Sequence, residues 1–180
     1  GLWMPWIRDF GPEEGYRGIL DVSRVWYLDD NRRLCAKVAD KVKAEMRLFS
    51  RTLEKHWAGE NILPQSQPVM VELKGKLPGD GELLCIDLYD TDRHTVTICF
   101  DSTNKEMTVN YNRADRASRY GIRTVPCEMM EKETDIDILI DGNTFTLLWE
   151  HGLYRYTGKL YPQGNIGVDI KYRAKRHYDI

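Results

Sequence analysis

A chain of 180 residues, 42% of them hydrophobic and ten of them tyrosine, can build one cored domain, so disorder is excluded as its default state. Its 26 basic and 28 acidic residues leave a formal net charge of −2, which excludes strong electrostatic attraction to nucleic acid or anionic lipid. No apolar run approaches the roughly 20 residues that cross a bilayer as a helix.

The first ten residues, GLWMPWIRDF, crowd Trp3 and Trp6 into a stretch where chain ends are usually polar. Pro5, Arg8 and Asp9 interrupt any secretory h-region, which favours a cytoplasmic setting. Residues 17–28 are β-prone, DDNRR reads as a turn, and LCAKV as a short strand. Val38, Val42 and Met46 then recur at helical spacing, with Leu48 and Phe49 close behind, predicting a short helix packed on the core.

After the turn-rich ENILPQSQP the chain is consistently β. Val69, Val71 and Leu73 alternate on one face, and PGDG reads as a hairpin turn. Leu84, Ile86 and Leu88 alternate next, then Val96, Ile98 and Phe100, followed by the strand MTVNY. NRADRASRYG reads as a long basic loop, in which Arg113, Arg116, Arg119 and Arg123 could grip a phosphate or carboxylate. DIDILI, FTLLWE, LYRYTGKLY and IGVDIKY complete the series, separated by DGNT, HG and PQGN. Short strands at 8–12 residue spacing predict an all-β fold: a two-sheet antiparallel sandwich, jelly-roll or concanavalin-like, with one short helix.

Local chemistry is sparse. No nucleophile elbow, zinc-protease helix or phosphate-cradling glycine loop is present, and no catalytic residue is assigned. Asp135 with Asp137, and Asp87 with Glu72, read as solvated strand faces; Asp90, Asp92 and Asp101 read as turn chemistry. Cys35, Cys85, Cys99 and Cys127 form no CxxC, and the histidines are scattered, so neither a metal nor a cofactor is expected. The cysteines read as reduced, partly buried thiols; the alternative is one structural disulfide, with Cys85 and Cys99 the favoured pair. Trp149, Tyr154 and Tyr156 lie on two strands of one predicted hairpin, where they could pack in the core or stack on a sugar face.

Three stretches, taken in order, resemble glycoside hydrolase family 32, the β-fructofuranosidases (invertases, sucrose-6-phosphate hydrolases, inulinases and levanases). LWMPW, followed by YRGILDVSRVWYLDDNRRLCAKVADKVKAE, resembles the family's G-W-M-x-x-W, then R-G-x-x-x-x-P-R-E-L, then a basic strand and short helix. Arg17, Gly18 and Leu20 fit, while Ser23-Arg24-Val25-Trp26 retains only the arginine of P-R-E-L. DIDILIDGNTFTLLWEHGLYRYTGKLYP resembles the family's C-terminal hairpin: Asp141, Gly152 and Pro162 match, and Thr146 replaces the family glutamate. The strands from Val69 to Tyr111 have the lengths and turns of its sandwich.

The resemblance implies that residues 1–22 are closing strands of a propeller blade, 23–64 a linker with a short helix, and 65–180 the C-terminal sandwich. Family catalysis is retaining and uses two carboxylates about 5 Å apart, from W-M-N-D-P-N-G, R-D-P and E-C motifs absent here. Arg8-Asp9-Phe10 imitates R-D-P at the wrong place in the order. By this resemblance Trp3 matches a position lining the fructosyl pocket, and Trp6 falls one residue short of the second tryptophan. The implied function is a non-catalytic sandwich module serving stability or oligomerisation, its carbohydrate partner reached through a parent enzyme. The alternatives are a free-standing carbohydrate-binding sandwich using Trp3, Trp6, Trp149, Tyr154 and Tyr156, or a truncated homologue that dimerises. A homodimer would form through the N-terminal aromatic segment; no nucleic acid or membrane partner is expected.

Overall fold

The computed structural model of the chain describes residues 23–53, 59–65, 68–77, 79, 81–126 and 133–174, with the side chains of 64–65 left out, and the backbone alone of 2–3, 6–8 and 18–20. Three short strands come first: β1 (Leu2–Trp3), β2 (Trp6–Arg8) and β3 (Gly18–Leu20). A hairpin of β4 (Arg24–Leu28) and β5 (Leu34–Val38) leads to the helix α1 (Asp40–Glu45). Then follow β6 (Arg47–Leu53), β7 (Glu60–Gln65), β8 (Val69–Gly75), β9 (Glu82–Tyr89), β10 (Thr95–Asp101) and β11 (Glu106–Arg113). A 3₁₀ helix (Arg116–Tyr120) precedes β12 (Ile122–Pro126), β13 (Thr134–Asp141), β14 (Thr144–Trp149), β15 (Tyr154–Lys159) and β16 (Ile166–Ala174).

Two sheets make the sandwich. One has six strands in the order β12-β11-β10-β9-β16-β7, the other five in the order β15-β14-β13-β8-β6. Period-two alternation explains their packing. Val69, Val71, Leu73, Ile136, Ile138, Ile140, Phe145 and Leu147 from one sheet meet Leu84, Ile86, Leu88, Val96, Ile98 and Phe100 from the other in one buried core. The all-β sandwich expected from the strand spacing is therefore the observed fold. One pairing is parallel, that of β6 with β8.

Two segments differ from expectation. PGDG joins no hairpin, because β8 and β9 lie in different sheets. Each presents a row of three large aliphatic side chains, and these rows bury one another across the sandwich instead of lying side by side. The basic loop is also more ordered than it reads: it contains the 3₁₀ helix and runs into β12, an edge strand paired with β11.

The β4–β5 hairpin and the helix, with β1, form a second layer. β1, β4 and β5 make a three-stranded sheet, with Leu2 opposite Val25 and Trp3 opposite Arg24. Val38, Val42 and Met46, the helical stripe, pack on Met70, Leu139 and Leu148, which point away from the main core. The helix spans only Asp40–Glu45, and the residues after Met46 extend as β6. Docking is completed at Gly152, whose carbonyl accepts the Ala36 N–H at 3.0 Å. Gly152 has φ +77°, and a Cβ there would sit 1.7 Å from the Ala36 oxygen. Only glycine admits so close an approach. No helix among the described residues is long and apolar enough to cross a membrane.

Candidate functional site

The β14–β15 hairpin pairs Trp149 with Tyr154 and Leu147 with Tyr156. Trp149 is 1% exposed, edge-on to Phe100 at 5.7 Å and stacked on Tyr154 at 5.5 Å. Both of its neighbours are protein rings, so it offers no open face to a sugar. Tyr154 is half-buried against it, and Tyr156, two residues further along the same strand, is half-buried against Phe145 and Tyr111. Trp149 and Tyr154 therefore belong together, while Tyr156 belongs to a different group. The side chains of Trp3 and Trp6 lie outside the described residues.

The group that Tyr156 joins is a cleft between the two sheets, where edge strand β15 faces β11, β12 and the 3₁₀ helix. Tyr111, Tyr120, Arg123, Tyr156, Thr157, Gly158 and Lys159 enclose about 120 Å³. The Tyr111 and Tyr156 hydroxyls are 3.0 Å apart, and Tyr120 stands edge-on to Tyr111 at 5.6 Å. Lys159 Nζ donates to the Tyr120 hydroxyl at 3.2 Å, and Arg119 lies over the same ring. Gly158 makes room: a Cβ there would meet the Phe145 ring at 2.3 Å and the Tyr111 hydroxyl at 2.4 Å.

Electrostatics divide the three phenols. Burial pushes Tyr111 up, reinforced by Tyr156, and burial pushes Tyr156 up as well. Burial opposes ionisation of Tyr120 too, yet hydrogen bonds from Arg119 and Lys159 carry its pKa below the ordinary phenol value. The cleft thus combines neutral aromatic walls with a cationic rim. The basic stretch reads from sequence as a loop, and nothing there announces that residues 111, 120 and 156 converge. The one available signal is the density of tyrosines and basic residues between 111 and 123 and between 154 and 159.

A second polar cluster lies under the linker. Arg24 is 2% exposed, and its Nη2 donates to Thr157 Oγ1 at 3.0 Å and lies 3.4 Å from Thr146 Oγ1. The retained arginine and the threonine that replaces the family glutamate are thus neighbours in space, 122 residues apart in sequence. On the same sheet face Asp137 faces Glu72 across the β13–β8 pairing, and Lys43 forms an ion pair with Glu72. Burial, then the Glu72 and Asp135 charges, pushes the Asp137 carboxyl up to about 6, with Lys43 and Lys74 opposing. The backbone N–H of His151 donates to Asp135 at 2.6 Å. These carboxylates are not a freely solvated face: the linker covers part of it.

No family model matches the sequence and no curated protein matches it. Solved structures do match. An exo-inulinase from Aspergillus awamori superimposes on 97% of the chain with a TM-score of 0.72 at 12% identity, using 40% of its own length. The chain shares the fold of that part of the inulinase. A Bombyx mori β-fructofuranosidase matches 90% of the chain with a TM-score of 0.59 at 16% identity, over 32% of its own length. Sucrose-6-phosphate hydrolase from Lactobacillus gasseri matches 96% with a TM-score of 0.56 at 13% identity, over 38% of its length. The chain thus spans well under half of each of these family 32 proteins. The resemblance carried by the quoted motifs holds at the level of fold, over nearly the whole chain.

Proposed function

We propose that this chain is the C-terminal sandwich module of a fructosidase-like glycoside hydrolase, itself non-catalytic, whose parent cleaves O-glycosyl bonds of sucrose or fructan type. The observation that carries the reading is the superposition of 97% of the chain on 40% of the exo-inulinase. The missing W-M-N-D-P-N-G, R-D-P and E-C motifs support it. So does the linker layer, which resembles in order and type the family's basic strand and short helix. The isolated chain is expected to show no turnover of sucrose, sucrose 6-phosphate or inulin-type fructans; turnover at an enzyme-like rate would overturn the reading.

The tyrosine cleft favours a second reading, a carbohydrate-binding sandwich. Its rings offer apolar faces, its phenols offer hydrogen bonds, and Lys159 and Arg123 favour a hydroxyl-rich ring bearing negative charge. Calorimetric titration with fructo-oligosaccharides and sucrose 6-phosphate tests it. Binding that Tyr120→Ala lowers at least tenfold supports the cleft, and a flat titration of the wild type rejects it.

A further inference from the structure

Opposite Cys85 on β9 stands Cys99 on β10, and the register is unbroken from Tyr89–Thr95 to Leu84–Phe100. The backbone N–H of Asp90 donates to the carbonyl of His94 at the hairpin's mouth. Hydrogen-bonded pairs then recur at every second step, at Leu88–Val96, Ile86–Ile98 and Leu84–Phe100. Cys85–Cys99 falls between them, in the non-hydrogen-bonded class where opposed Cα atoms lie about 4.5 Å apart. That is inside the Cα separation a disulfide accepts, roughly 4.4–6.8 Å. Both cysteines are free thiols, in sulfur contact at 2.7 Å.

Their surroundings suit exchange chemistry. Both point to the outer face of the six-stranded sheet, opposite the apolar row of Leu84, Ile86 and Leu88. Cys85 is 1% exposed and Cys99 partly exposed, so Cys99 is the sulfur that solvent reaches first. The hydrogen bond from Cys99 holds the Cys85 thiol below its ordinary pKa against its burial, with help from Arg173 and Lys171. At Cys35 burial, then the Asp29 charge, pushes the thiol up, against Arg33 and a hydrogen bond with Tyr27.

We propose that Cys85 and Cys99 form a redox site, a vicinal dithiol that closes reversibly into a disulfide and staples the two central strands of the six-stranded sheet. With oxidised glutathione as the co-reactant, one sulfur takes a glutathionyl group and releases one glutathione. The second sulfur displaces the other glutathione, forming the Sγ–Sγ bond. Two electrons pass from the thiol pair to the glutathione disulfide, and two protons leave on the two released thiols. The staple closes a short loop between adjacent strands and limits the unfolded chain.

The test titrates the folded 180-residue chain with mixtures of reduced and oxidised glutathione, followed by alkylation and tryptic mapping without reduction. Cys85 and Cys99 lie on different tryptic peptides, residues 77–93 and 94–105. The expected result is one cross-linked product joining these peptides, two mass units lighter than the sum, with two of the four thiols still titratable. Dithiothreitol should reverse it, and the oxidised chain should melt roughly 5–10 °C higher. Cys35→Ala should leave the cross-link unchanged, and Cys99→Ser should abolish it. Peptides that stay separate across the full range of glutathione ratios would overturn the proposal, as would glutathione retained on Cys99 without the cross-link. Both readouts come from the wild-type chain, so they stand even if a variant fails to fold.

Discussion

On the outer face of the five-stranded sheet, Met70, Leu139 and Leu148 are buried under Val38, Val42 and Met46 of the linker. On the outer face of the six-stranded sheet, Asp87 is only 6% exposed, and Lys171 and Arg173 both donate to its carboxylate while Thr97 donates from the next strand. The first face needs a separate layer of chain to remove its apolar surface from water. The second is closed by long side chains of its own strands, whose aliphatic stems cover the sheet while their charged ends reach water. Residues 38–46 are thus packed into the domain on one side, while side chains of the sheet's own strands cover the other.

The strongest way to break this contrast is Leu139→Ala. It opens a cavity between sheet and linker and should cost about 3 kcal/mol, read by chemical denaturation. A loss near zero would mean that the linker merely rests on the sheet. Asp137→Asn sharpens the same face through its pH dependence. The folded pKa of about 6 lies above the ordinary carboxyl value of 3.8, so this group favours the folded state fully below about pH 4. That advantage is lost as pH rises through 6. The variant should therefore match the wild type near pH 4 and exceed it by about 2 kcal/mol above pH 7; equal stability at both ends would contradict the burial. Asp87→Asn should cost about 1 kcal/mol, the smallest effect of the three. Its partners reach water readily, and the loss should shrink as salt is added. A loss as large as that of Leu139→Ala would erase the distinction between the two faces.

The sandwich was readable because alternation is a local pattern. Val96, Ile98 and Phe100 reach the core in any arrangement that buries one face of β10. The identity of β8's neighbours was not readable, because hairpin and sheet-to-sheet crossing present the same row of Val69, Val71 and Leu73. Val38, Val42 and Met46 do pack together, but on the outer face of the five-stranded sheet instead of the main core, and only Val42 lies within the helix. Helix propensity after Met46 yields to pairing with β8, where Phe49 and Leu53 have partners. The tyrosine cleft was hidden for a different reason: Tyr111 and Tyr156 meet across 45 residues and two sheets. Arg24 and Thr146 were each marked by the family pattern, one as retained and one as replaced. That they touch is a fact of the linker's docking, which no local pattern encodes.

The place of β16 between β9 and β7 has a consequence for how the chain comes into being. Tyr89 pairs with Gly167, so one side of β9 stays without its neighbour until nearly eighty more residues have been made. At ribosomal speeds that is a delay of roughly 4–16 s. Through that interval the aliphatic row of β9 and its open backbone are an invitation to mispair. Folding dominated by such distant pairings is slow once the whole chain is available. The earlier hairpin of β9 and β10 is complete long before, and a covalent link between its two strands would hold the first half of the sheet in register while the second half arrives.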